Sequence, residues 1–243
     1  MYYIVNRKEL LCMSSQPAVL AIGKKPAAIR HITYLFTLGF TGISMLYLLA
    51  THTPDASGSV SPQVTLALME CTLGLAAVHL PAVVTRVFRI TLPDALCVAF
   101  YAFIVCAIPL GEVFAFYYRI PFWDTLLHFS SGMMLCVCGG LMTIHYLRKK
   151  QCDSLISPVC VGVISVLLAM SAGVLWEFYE FAVDALAGMN MQKCLLEDGT
   201  ALIGQAALQD TMKDLIVDVL GAVTAACVFM PSLKRHIERS SHD

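Results

Sequence analysis

Three groups of acidic residues stand at helical spacing. Asp124 and His128 are i, i+4. Glu177, Glu180 and Asp184 are i, i+3, i+7. Asp210, Asp214 and Asp218 are i, i+4, i+8. On a helix each set shares one face. Carboxylates with one histidine suit a divalent metal ion, which supplies the positive charge such a cluster otherwise lacks. Oxygen-rich ligands favour Mg²⁺ or Mn²⁺, and the histidine keeps Zn²⁺ or Fe²⁺ open. The expected ligands are Asp124, His128, Glu177, Glu180, Asp210, Asp214 and Asp218. Among them His128, Glu177 and Glu180 are also the catalytic candidates, with His128 as ligand or general base. Plainer readings exist for the same residues. Asp124 and Asp210 can cap helix starts. The deeper acids can form a partly protonated polar network that ties helices together. Such a network has little base nearby: Lys213 inside the last helix, and Arg119 in an adjacent loop.

The elements that position these residues follow from composition. Of 243 residues 58% are hydrophobic and 14% charged, and the mean hydropathy is +0.74. A soluble domain carries about 25% charged residues. The apolar residues fall in runs long enough to cross a bilayer, at approximately 29–51, 62–86, 93–116, 124–147, 158–186 and 211–231. Sheet edges are excluded in lipid, and the runs are too long for barrel strands. The fold class is therefore all-α, a polytopic bundle of about six transmembrane helices. One transmembrane domain covers 29–231, between a cytoplasmic N-terminal segment 1–28 and a cytoplasmic tail 232–243.

Basic residues give the orientation. Thirteen fall on one side, in the N-terminal segment, the second and fourth loops and the tail. Only Arg119 and Lys193 fall on the other. The asymmetry places both termini in the cytoplasm. Nine of the 17 acidic residues then lie in or beside the outer half of a span, Glu70 and Glu112 among them. The inner half has Asp94, at a helix start. The opening residues lack the form of a cleaved signal peptide, so a multi-pass protein of the cell membrane is expected. The net charge of −1 argues against nucleic acid as a partner.

Other features read as structure. Most of the ten cysteines lie in apolar runs, where cysteine packs as a small hydrophobe, and no disulfide framework is implied. His79 reads as a hydrogen-bonded core histidine. Pro81 and Pro109 predict kinks. Ser130, Ser131, Gly132, Gly221 and Ala222 predict close helix packing. The loop at about 187–210 is the one long outer loop, and it hangs beside the acidic helix ends as a lid would.

The motifs Trp123-Asp124-x-x-x-His128-Phe-Ser-Ser-Gly132, Trp176-Glu177-x-x-Glu180-Phe, Gly188-Met-Asn-Met-Gln192 and Asp210-Thr-Met-x-Asp214-Leu-x-x-Asp218-x-x-Gly221-Ala222 resemble the YjdF-like family of predicted bacterial membrane proteins. That family looks like a branch of the VanZ-like group, which shares an Asp…His, Glu, Asp…Asp order across its later helices. The match covers about residues 110–225. The resemblance implies a compact multi-helix membrane fold, marks the same seven residues as the site, and points by analogy to the cell envelope or its lipids. It fixes no activity. Three functions follow as expectations. One is a metal-dependent enzyme acting by phosphoester chemistry on a lipid headgroup or envelope precursor. The others are a proton- or cation-coupled transporter and a non-enzymatic envelope scaffold. A transporter should show a polar path continuing to the cytoplasm, where ionisable groups are few.

Overall fold

The computed structural model describes residues 26–52, 60–152, 157–196 and 198–240. Those residues are almost entirely helical. Helix α1 covers Pro26–Thr51, α2 Pro62–Ala77, α3 Leu80–Phe88 and α4 Asp94–Val105. A π-helical segment, Cys106–Val113, continues α4. The short α5 is Phe116–Arg119, α6 is Trp123–Lys149 and α7 is Pro158–Ala187. A 3₁₀ turn at Gly204–Leu208 leads into α8, Gln209–Ser240. The expected spans coincide with these elements.

Two prolines set the breaks. A proline cannot donate to the carbonyl four residues back, and its ring crowds that carbonyl. For Pro81 that residue is Ala77, where α2 ends, and the α2–α3 pair bends by 40°. For Pro109 it is Val105, where α4 gives way to π-type bonding without ending the span. The predicted kink at Pro109 is thus a π segment. The indole of Trp123 donates to one of its carbonyls, Cys106 O, at 3.1 Å.

Among the described residues four helices are long and apolar enough to cross a membrane: Ala28–Thr51, Asp94–Val113, Trp123–Lys149 and Pro158–Ala187. The bent α2–α3 pair makes up to five. Helix α8 has 32 residues, enough length for a span at about 1.5 Å per residue, but Lys213, Asp214 and Asp218 give its apolar stretch more charge than those helices carry. The outer faces of these helices show Ile32, Phe36, Ile43, Leu167, Phe178 and Phe181, all more than half exposed. A water-soluble protein would not leave such faces bare, whereas lipid covers them.

Among the described residues the interior includes two larger apolar clusters and a small third one of Leu66, Val183 and Met189. Between α1, α2 and α4 lies a core of Cys71, Val78, Cys97, Tyr101 and Ile104. Between α6, α7 and α8 the core is made of small residues, Cys136, Ala169, Ala222, Ala225 and Ala226. In lipid, helices associate by close packing rather than by hydrophobic burial, and small side chains permit it. The predicted packing role of Gly132 and Gly221 is borne out at atomic scale. A Cβ on Gly132 would stand 2.2 Å from Asp218 O, and one on Gly221 would stand 2.1 Å from Phe129 O. Each glycine lets the opposite backbone rest where a side chain would be. The cysteines among the described residues are all free, as expected. His79 does hydrogen-bond, to Tyr34 Oη at 3.3 Å, but it is exposed at the helix break rather than set in the core.

Candidate functional site

Close approach of α6 and α8 carries their acidic faces inward together. His128 sits among them, 8% exposed. Its Nε2 lies 3.7 Å from Asp124 Oδ1 and 3.8 Å from Asp214 Oδ2, and its Nδ1 lies 3.4 Å from Asp218 Oδ1. Ser131, one turn along α6, donates to Asp218 Oδ1 at 3.0 Å. Helix α7 closes the third side. Gly173 gives Asp218 its room, since a Cβ there would stand 2.5 Å from Oδ2. One turn outward, Glu177 and Glu180 face the imidazole and are 4% and 8% exposed.

The seven residues singled out in the sequence therefore divide by place. Asp124, His128 and Asp214 form one group whose ligand atoms lie within 4.8 Å of one another, and His128, Glu177 and Glu180 form a second. His128 is common to both. Asp218 stands behind the imidazole, on its other nitrogen. Asp210 stands at the rim, outside both groups.

The residues fit a divalent ion on three observations. First, Glu177 Oε1 and Asp214 Oδ1 are buried without a hydrogen-bond partner among the described residues. Buried carboxylate oxygens are rarely left so. Second, the spacings of 3.7 and 3.8 Å are too long for hydrogen bonds. Ligand atoms each about 2.0–2.2 Å from one tetrahedral ion sit roughly 3.3–3.6 Å apart. Third, a carboxylate at Nδ1 is the usual outer partner of a metal-binding histidine, leaving Nε2 for the ion. Asp218, held by Ser131, has that position.

The loop after α7 is built around the site. Gly188 ends the helix in the left-handed conformation, φ 65°. Asp184 then accepts from the backbone N–H of Met191 (2.7 Å) and Gln192 (3.0 Å). Asn190 accepts from Leu195 N–H and donates to Leu195 O, which shapes the turn that follows. Gln192 reaches into the site, donating to Thr211 at 3.0 Å and lying 3.5 Å from Glu177 Oε2. Lys193 crosses the mouth. Its ammonium pairs with Asp124 and, at 3.1 Å, with Asp210. Burial opposes its charge, but the two carboxylates outweigh that and hold its pKa above the usual lysine value. Its backbone is left-handed, φ 49°, an uncommon setting for a lysine.

Sequence reasoning overlooked Lys193, Gly173 and Thr211. It looked for base in Lys213 and Arg119. Lys213 does lie 3.7 Å from Asp214, but the base bridging two acids comes from the loop. Gly173 carried a signal, being a small residue one turn before Glu177 on the same face. Trp176, present in the quoted motif, donates its indole N–H to Glu180 Oε1 at 2.8 Å.

The sequence profile of a family described as "Predicted membrane protein (DUF2238)" matches residues 38–235, a stretch that contains all of these residues. The chain belongs to the DUF2238 family. This DUF2238 protein is an α-helical membrane protein, and its helices α6 to α8 bring the acidic motifs together. The chain is also similar to an uncharacterized protein of Thermotoga maritima, 34% identical over 120 residues. That alignment covers 48% of this chain and 52% of the relative, so the chain spans about half the length of the curated relative it matches. No solved structure matches.

Proposed function

We propose that the cluster around His128 holds a divalent metal ion near the outer leaflet and serves phosphoester chemistry on a lipid headgroup or envelope precursor. The observation that carries this reading is the convergence of ligand atoms from Asp124, His128 and Asp214 and from His128, Glu177 and Glu180, in a cluster where Glu177 Oε1 and Asp214 Oδ1 are buried without a hydrogen bond among the described residues. Asp124, His128 and Asp214 would hold the ion, with Glu177 and Glu180 completing the set or acting on a bound water. Mg²⁺, Mn²⁺, Zn²⁺ and Fe²⁺ all suit this mixture of oxygens and one nitrogen. A bound ion would polarise a phosphoryl oxygen and lower the pKa of water.

The chain's own residues have separate tasks. Asp218 and Ser131 fix the orientation of His128. Glu180, held by Trp176, is set beside the imidazole as a proton acceptor or donor. Lys193, at the mouth, can exchange its carboxylate partners for an anionic headgroup. On this reading α8 is the sixth span, both termini lie in the cytoplasm, and the cell membrane is the location, because the basic residues mark the opposite face. The Asp…His, Glu, Asp…Asp order also supports kinship with the YjdF-like and VanZ-like proteins.

The test is elemental analysis of detergent-purified protein, wild type against Asp214→Ala. Near-stoichiometric metal in the wild type and its loss in the variant are expected. A metal-free wild type whose thermal stability ignores chelator would overturn the reading.

A further inference from the structure

Five buried side-chain atoms lack a hydrogen-bond partner among the described residues. Two belong to the metal cluster. The other three, Thr41 Oγ1, Ser44 Oγ and Glu70 Oε1, lie in the other half of the bundle, on α1 and α2. Thr41 is 1% exposed, Ser44 2% and Glu70 6%. A hydroxyl on a helix ordinarily satisfies itself by donating to the carbonyl four residues back. Thr33, Thr72, Thr143, Ser165 and Thr224 all do so. Thr41 and Ser44 do not.

These groups form a file. Arg30, Tyr34, Thr37, Thr41 and Ser44 recur at intervals of four and three residues, on one face of α1. At one end Arg30 pairs with Asp94 at 3.2 Å. Tyr34 Oη meets His79 Nδ1 at 3.3 Å, and Thr37 donates across to Tyr101 O at 3.2 Å. Thr41 stands beside Gly74 of α2, where a Cβ would be 3.5 Å from its methyl group. Glu70 is one turn from Gly74 on the same face, in the direction of Ser44, because the two helices run antiparallel. From Arg30 to Ser44 the file runs ~21 Å, about two thirds of a bilayer's hydrocarbon thickness. Past Ser44 it approaches the metal cluster. Tyr179 of α7 is a polar neighbour of Glu70. The Tyr179 ring lies 5.0 Å from that of Trp176, the donor to Glu180.

We propose that this face of α1, with Glu70, lines a chain of water molecules that carries protons between the outer carboxylate cluster and the Arg30–Asp94 end. Buried polar atoms without a protein partner are satisfied by water, which needs two to four polar neighbours. The file supplies hydroxyls, a carboxylate and backbone oxygens in sequence. A proton arriving at Glu70 is passed to water, then from one lone pair to the next past Ser44, Thr41 and Thr37, and on by Tyr34 and His79 to the Arg30–Asp94 end. Nothing is consumed and every group returns to its starting state. A single file offers too few oxygens at any one level to rebuild the shell of about six that a divalent cation requires, so the path suits protons. None of the file residues is a proposed metal ligand, and the inference stands apart from the metal reading.

The test uses the full-length protein in liposomes containing a trapped pH-sensitive dye, with an imposed potassium diffusion potential. Wild type should acidify or alkalise the lumen faster than protein-free liposomes do. Glu70→Gln, Thr41→Val and Ser44→Ala should each slow the flux about tenfold. Thr72→Val, whose hydroxyl is back-bonded on an exposed face, should leave it unchanged. Glu70→Gln is near-isosteric and keeps the test sound if Thr41→Val fails to fold. Metal content, measured on the same preparations, should be unaffected by Glu70→Gln. Wild-type flux no greater than that of empty liposomes, or full flux in Glu70→Gln, would overturn the proposal.

Discussion

The carboxylate of Asp218 occupies the space that a side chain at Gly173 would fill, with Oδ2 2.5 Å from where that Cβ would be. Two glycines on other contacts play the same part for the backbone. Gly132 meets Asp218 O and Gly221 meets Phe129 O. The difference between side-chain and backbone neighbours decides what each substitution does. At Gly132 and Gly221 the obstructing atoms are carbonyls, which cannot rotate away, so α6 and α8 must part. Alanine at either should destabilise by about 1–3 kcal/mol, as overpacking does, seen as a lower midpoint of thermal unfolding in detergent. At Gly173 the obstructing atom is a carboxylate that can swing. Gly173→Ala should therefore lose metal with a smaller loss of stability. Equal stability losses at all three positions would contradict this account.

Metal removal gives a second prediction. An ion bound only by the folded protein stabilises it by about 2.7 kcal/mol at a hundredfold excess over its dissociation constant. Chelator should lower the thermal midpoint of the wild type and leave that of Asp214→Asn where it is. Asp214 is 1% exposed and its Oδ1 accepts no hydrogen bond among the described residues, so the asparagine variant should not be severely unstable when metal-free. A midpoint that falls equally in both proteins would mean that the chelator acts elsewhere.

The sequence made much of this site legible, and the reason is periodicity. Asp124 and His128, Glu177 and Glu180, and Asp214 and Asp218 are repeats on single helices, and a helix converts spacing into a shared face without reference to anything else. Gly132 and Gly221 were legible for a related reason, since small residues inside an apolar helix mark where another backbone can approach. Lys193 was not. It lies in a loop, 69 residues from Asp124, and no local rule connects a loop side chain to a partner that only the packed bundle brings near. The α1 hydroxyls were invisible in a different way. Serine and threonine inside an apolar helix read as self-satisfied, and only the fold shows that Thr41 and Ser44 are not. The count of spans stays open on α8 because Lys213, Asp214 and Asp218 put three charged residues into its apolar stretch.

Lys193 holds the loop across the mouth through Asp124 and Asp210, and its removal should release the loop while leaving the ligands in place. Lys193→Gln is expected to raise protease sensitivity between residues 187 and 210 without lowering metal content. The lysine side chain is 45% exposed, and exposed ion pairs are worth about 0–1 kcal/mol, so the global unfolding midpoint should move little. The pH dependence has a definite sign. A lysine whose pKa is higher folded than unfolded contributes its full stabilisation below the unfolded value, about 10.4, and loses it as pH rises through the folded value. Protection of the loop should be flat between pH 6 and 9 and fall only in strong alkali. A midpoint near neutrality would assign the closure to some other group.

Asp184 anchors the same loop from the helix side, and its variant should behave differently. It accepts two backbone N–H groups, from Met191 and Gln192, directly after the left-handed Gly188. Hydrogen bonds to a charged group contribute about 1.5–3 kcal/mol each, but the unfolded loop would recover much of that from water. Asp184→Ala removes both acceptors at once, whereas Asp184→Asn keeps one oxygen. The alanine variant should free Gln192 from Thr211 and Glu177, since the turn that aims Gln192 no longer closes. Hydrogen exchange at the amides of Met191 and Gln192 should then quicken in the order wild type, Asp184→Asn, Asp184→Ala. Lys193→Gln should leave those two amides slow, because the hinge would still be tied at Asp184. If the amides quicken equally in the lysine and aspartate variants, the loop opens as one piece and Asp184 is not its separate hinge.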